Sequence, residues 1–111
     1  MAIKYYTNPD KKQTIAVLSG TKYDAVNRIA KMMNCENSEF IMSPALYTKY
    51  LMPEQYKVVV TCDARDTYDA DVGKQVAKKK LLRNYYKSVD KRIDMFKHDV
   101  ANFIKTWSEK I

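Results

Sequence analysis

Glycine, proline, histidine and cysteine are scarce in this chain, and each shortage removes a class of explanation. Two glycines and three prolines in 111 residues leave little material for linkers or long irregular loops. They also exclude a glycine-rich phosphate loop: Ser19-Gly20-Thr21 and Asp71-Val72-Gly73-Lys74 lack the spaced glycines such loops use. With one histidine, His98, and two cysteines at Cys35 and Cys62 in no C-x-x-C spacing, a structural zinc site cannot be assembled from this chain alone. The thiols read as reduced packing residues of a cytosolic protein. No apolar run reaches the roughly eighteen residues of a membrane span, and the opening MAIKYYTNPDKK lacks a signal-peptide core. A cytoplasmic location is therefore expected.

Charge is what the chain has in one place. The formal net charge is +7, from 20 basic and 13 acidic residues. Residues 74–92, KQVAKKKLLRNYYKSVDKR, hold 8 basic side chains and the single acid Asp90, so this segment carries the whole excess and the rest of the chain is balanced. Such concentration is an electrostatic footprint rather than a diffuse bias.

The pattern along the chain predicts a single α+β domain over 1–111, with a sheet-containing core in 1–65 and a long basic amphipathic helical region in 66–111. Ile3 to Tyr6 and Thr14 to Leu18 are β-rich runs around the turn chemistry of Asn8-Pro9-Asp10, which predicts a hairpin of residues 2–7 and 13–18. Tyr23, Val26, Ile29, Ala30 and Met33 form an apolar stripe for a helix over 22–34. Residues 39–42 read as a short strand, and Ser43-Pro44 opens a second short helix that Pro53 ends. Residues 55–62 form the strongest strand, whose unbroken valines suggest cover on both faces. The expected sheet is thus antiparallel or mixed, with about four strands. In DARDTYDADVG, residues 63–73, Asp66, Thr67 or Asp69 caps the following helix. Asp63, Asp66, Asp69 and Asp71 depart from the EF-hand spacing, and no metal or other cofactor is expected.

From about 69 to 109 the pattern is one long helix. At about 100° per residue, Leu82, Tyr85, Tyr86, Val89, Ile93, Phe96, Val100, Phe103, Ile104 and Trp107 share a sector roughly 100° wide, opposite Lys80, Arg83, Lys87 and Lys91. Val72 and Val76 fall outside it. Either the helix bends near Lys78-Lys79-Lys80, or its first two turns pack on the sheet and the remainder elsewhere. A forty-residue rod would run about 60 Å, roughly twice the length of such strands. Ile93, Phe96, Val100, Phe103 and Trp107, in coiled-coil-like spacing, are therefore expected to meet a second copy in a homodimer or another partner protein.

No set of nucleophile, base and acid emerges, so an enzyme is not expected. The candidate function is a small nucleic-acid-binding accessory protein that contacts phosphates of DNA or RNA through Lys78, Lys79, Lys80, Arg83, Lys87, Lys91 and Arg92. Arg83, Asn84 and Arg92 could read base edges from a groove. Tyr85 and Tyr86, and Tyr5, Tyr6 and Tyr23 elsewhere, are candidates to stack on unpaired bases, but Tyr85 and Tyr86 fall on the buried sector and read rather as core. The alternative is a protein-interaction module docking on an acidic host protein.

The stretch TCDARDTYDADVGKQVAKKK, residues 61–80, resembles an element of small proteins from Gram-positive phages and conjugative elements: a strand ending in Cys, an acidic turn, then a helix opening G-x-x-x-A with basic residues. Cys62, Asp66, Asp69, Gly73 and Ala77 hold those places, with Tyr68 where Phe is more usual. The resemblance implies a mobile-element origin and carries over no site.

Overall fold

The computed structural model describes residues 2–32, 48–63 and 65–110, without the side chains of Trp107 and Lys110. It is α+β, with three strands, β1 (Ile3–Asn8), β2 (Gln13–Ser19) and β3 (Gln55–Thr61), and two helices, α1 (Asp24–Met32) and α2 (Ala70–Lys110). The sheet is antiparallel, in the order β1-β2-β3. It has three strands among the described residues, not about four. The expected strand at 39–42 and the opening of the helix at Ser43-Pro44 lie outside those residues, and Thr48 and Lys49 are helical. No helix among the described residues is long and apolar enough to cross a membrane.

The chain divides into two interleaved compact units. One comprises Met1–Thr21 and Pro53–Tyr86, the other Lys22–Met52 and Lys87–Ile111.

The first unit is the sheet and the start of α2. Its hairpin closes where the sequence places turn chemistry: the Lys12 amide donates to the Pro9 carbonyl at 3.1 Å. The Lys11 amide reaches Asn8 Oδ1 at 3.4 Å. Lys12 completes the turn in the left-handed region, at φ 50°, the usual way a short loop reverses into its return strand. Thr14, Ala16 and Leu18 of the central strand are buried, alternating with half-buried neighbours. They share one side of the pleat with Ala77, Leu81 and Tyr85 of α2 as the unit's core.

Helix and sheet meet closely at Gly73. A Cβ there would overlap the Thr14 hydroxyl, so only glycine lets the helix start sit this near β2. Further along, the Tyr85 ring stands edge-on to Tyr56 of β3, with centroids 5.9 Å apart.

Two expectations are corrected here. The valine run of β3 is not covered on both sides: among the described residues the strand lies at the sheet edge, and it alternates, leaving Val59 48% exposed. Leu81, not Leu82, is the fully buried leucine of α2. The helix buries Ala77, Leu81 and Tyr85 at intervals of four, a line that lags the expected sector. Tyr86, at the sector's other edge, is 39% exposed.

The second unit gathers α1, the segment around Tyr50 and the later turns of α2. Val26, Ile29, Tyr50 and Phe96 form its core, with Ala30, Leu51, Ile93, Met95 and Val100 packed against it. Tyr50 meets Phe96 edge-to-face, with centroids 5.6 Å apart and planes at 80°, a geometry that suits the ring quadrupoles. Phe96 and Ile93, expected at an intermolecular interface, are thus held inside the unit. The Met52 amide donates to the Lys22 carbonyl at 2.9 Å, tying the two segments together.

Candidate functional site

The cations of α2 are presented by a helix that runs unbroken through Lys78-Lys79-Lys80. Its start is fixed by Asp69, whose Oδ1 accepts the Asp71 amide at 2.9 Å and the Val72 amide at 3.3 Å. This is the N-cap function that suits an aspartate there, and the neighbouring Asp63 closes its own turn onto the Arg65 amide at 3.0 Å.

In the first unit Ala77, Leu81 and Tyr85 are buried, and Lys78, Lys79, Lys80 and Arg83 are all exposed. In the second unit Lys87 and Lys91 are exposed likewise. The ion pair found among the described residues joins Lys49 to Asp99 at 2.8 Å, so no carboxylate there neutralises any of these six.

Arg92 is different. Its Nε donates to the Leu51 carbonyl at 2.9 Å, and its Nη1 to the Ser88 carbonyl at 3.1 Å and the Ser88 hydroxyl at 2.6 Å. The side chain is half-buried and satisfies a backbone group, so it is withdrawn from the surface set to which charge counting assigns it. Its Nε and Nη1 are thus engaged within the unit, whereas Arg83 and Asn84 stay exposed.

The second unit holds a further polar group that sequence reading missed. Tyr50 Oη donates to Asp99 Oδ2 at 2.5 Å, and Lys49 closes on the same oxygen. The Lys49 hydrogen bond, followed by that from Tyr50, holds the Asp99 carboxyl below its ordinary range. Burial first, and then the Asp99 hydrogen bond, pushes the Tyr50 phenol well above its ordinary value. The sequence signal was slight: one acid beside an apolar stripe.

A cavity of about 280 Å³ opens in the first unit, bounded in part by Thr14, Val60, Cys62, Tyr68, Val72 and Val76. Its polar groups serve one another. Tyr68 Oη donates to the Gln13 carbonyl at 3.1 Å and lies 3.1 Å from the Thr14 hydroxyl, and Lys12 Nζ donates to the Asp66 carbonyl at 2.8 Å. The half-buried Cys62 carries a free thiol, and Cys35 lies outside the described residues. No group of three or more metal-ligating side chains occurs among the described residues. Nothing in this cavity aligns a nucleophile with a base.

Of the remaining candidates, Val100 is half-buried, Phe103 and Ile104 are 58% and 57% exposed, and the Trp107 side chain lies outside the described set.

No protein-family model, curated protein or solved structure matches the chain.

Proposed function

We propose that the protein is a nucleic-acid-binding accessory protein that engages phosphates through the outward cations of α2. The observation that carries this reading is that Lys78, Lys79, Lys80 and Arg83 lie exposed, with no carboxylate partner among the described residues, in the segment that holds all the excess charge. Lys87 and Lys91 extend the set in the second unit. Each cation that meets a phosphate releases condensed counterions, so a handful supports non-specific binding of micromolar order without base contacts. The exposed Ile104 and Phe103 support pairing of the final turns with a second copy, which would double the cationic surface.

The test is replacement of Lys80, Arg83, Lys87 and Lys91 by Ala. The fold is expected to survive, since all four face solvent. Affinity for duplex DNA should fall, and the dependence of log K on log salt should flatten by about 0.9 for each phosphate that is no longer neutralised. Unchanged retention on duplex DNA at two salt concentrations would refute the reading. Unchanged DNA binding with failed capture by an acidic protein would favour the docking module instead.

A further inference from the structure

The sheet of the first unit has a second side. Alternation along the strands sends Lys4 and Tyr6 of β1, Ile15 and Val17 of β2, and Lys57 and Val59 of β3 away from α2. The register aligns them in rows. Tyr6 pairs with Ile15 and Ile15 with Val59, which makes one continuous apolar row; Lys4 pairs with Val17 and Val17 with Lys57, which makes the next. Tyr6 is 55% and Val59 48% exposed, and both lysines are exposed. The other five positions on this side carry amides or hydroxyls. Among these strand positions the side therefore has two cations, an aromatic ring and no carboxylate.

We propose that this sheet face is a binding platform for single-stranded nucleic acid, with Tyr6 stacking on an unpaired base while Lys4 and Lys57 hold flanking phosphates. The charge pattern selects the occupant. A second copy docked by the same face would bring lysines against lysines with no acid to meet them, and like charges in apposition disfavour association. A duplex hides its bases, so the row Tyr6–Ile15–Val59 would lose water and gain nothing. A single strand offers both halves at once: base faces for the apolar row and an anionic backbone for the lysines. Lys4 and Lys57 stand two strand spacings apart, about 10 Å, on either side of Val17, and Tyr6 lies in the next row on the strand of Lys4. This surface is separate from the α2 cations and goes beyond the phosphate binding proposed for them.

The experiment measures binding of a fluorescent oligothymidylate, a duplex of equal length and inorganic polyphosphate to the full chain and its variants. Tyr6→Thr keeps a strand-forming residue but removes the ring, and should weaken oligothymidylate binding about tenfold while leaving polyphosphate binding unchanged. Tyr6→Phe should restore the affinity. Lys4→Glu with Lys57→Glu, both at exposed positions, should reduce oligothymidylate binding to what the α2 cations alone supply, even if Tyr6→Thr proves unstable. Full oligothymidylate affinity in either the Tyr6→Thr or the double-Glu variant overturns the proposal. So does an equal loss for polyphosphate in Tyr6→Thr, or a dimer that Tyr6→Thr dissociates in sedimentation. The four-residue α2 variant is read in the same assays: loss of duplex binding with oligothymidylate binding retained separates the two surfaces, retention of both identifies failure of the α2 reading alone, and loss of oligothymidylate binding with duplex binding retained overturns the sheet-face proposal.

Discussion

The two units use one helix in opposite ways. In the first, α2 packs uncharged residues against a sheet: Gly73 and Ala77 allow close approach, Leu81 fills the interior, and Tyr85 meets Tyr56. In the second, the same helix packs the large ring of Phe96 and draws ions into structural work, with Arg92 on the Leu51 carbonyl and Asp99 between Tyr50 and Lys49. A sheet satisfies its own backbone groups. The segment at Leu51 does not, and an uncapped carbonyl in a half-buried place calls for a donor. Cations of identical type thus have different fates according to what lies beneath them.

The most severe way to break this contrast is to open the first unit's interior. Leu81→Ala should cost about 2–5 kcal/mol, and the half-buried Leu82→Ala clearly less, as measured by urea unfolding. Equal costs would place the buried line elsewhere. Gly73→Val should destabilise by about 1–3 kcal/mol through overpacking against Thr14, although valine is the better helix former. The same unfolding experiment, repeated with Thr14→Ala present, should recover part of the loss.

A smaller effect sharpens the difference between adjacent cations. Arg92→Ala should cost about 1–2 kcal/mol because it leaves the Leu51 carbonyl without its donor, whereas Lys91→Ala should stay within about 0.5 kcal/mol. In duplex-DNA titrations the order should invert, with Lys91→Ala giving the larger change in salt slope.

The mildest expectation concerns pH and the second unit. Because the folded Asp99 pKa is lowered, its stabilising contribution is present above the ordinary carboxyl value near 4 and is lost as pH falls through the folded one. The raised Tyr50 pKa acts in the other direction: its contribution is complete below the ordinary phenol value near 10 and is lost as pH rises beyond it. Melting temperature against pH should therefore decline at both ends. Asp99→Asn should flatten the acid side and Tyr50→Phe the alkaline side; profiles parallel to that of the unaltered chain would mean that the Tyr50–Asp99 hydrogen bond does not stabilise the fold.

Much of the architecture was legible because it depends on local chemistry. Asn8-Pro9-Asp10 announces the hairpin, the valine run announces β3, and forty residues without proline announce α2. What escaped depended on neighbours distant in sequence. Helical angle alone could not separate Leu81 from Leu82, because the two differ by one step and the decision belongs to the sheet opposite. The valines of β3 look alike to any local rule, yet a position at the sheet edge exposes every second one. Nor does any local rule distinguish Tyr5, half-buried, from Tyr6, exposed on the open side.

By itself, then, the order of residues determined which segments become strands and helices and that the excess charge resides on one helix, since turn preference, periodicity and side-chain ionisation are properties of short stretches. Tertiary structure alone decided which of those charges stay available, which leucine is core and which side of the sheet remains open. Those outcomes depend on burial and on unsatisfied backbone groups brought close from elsewhere in the chain, and neither exists until the chain has folded.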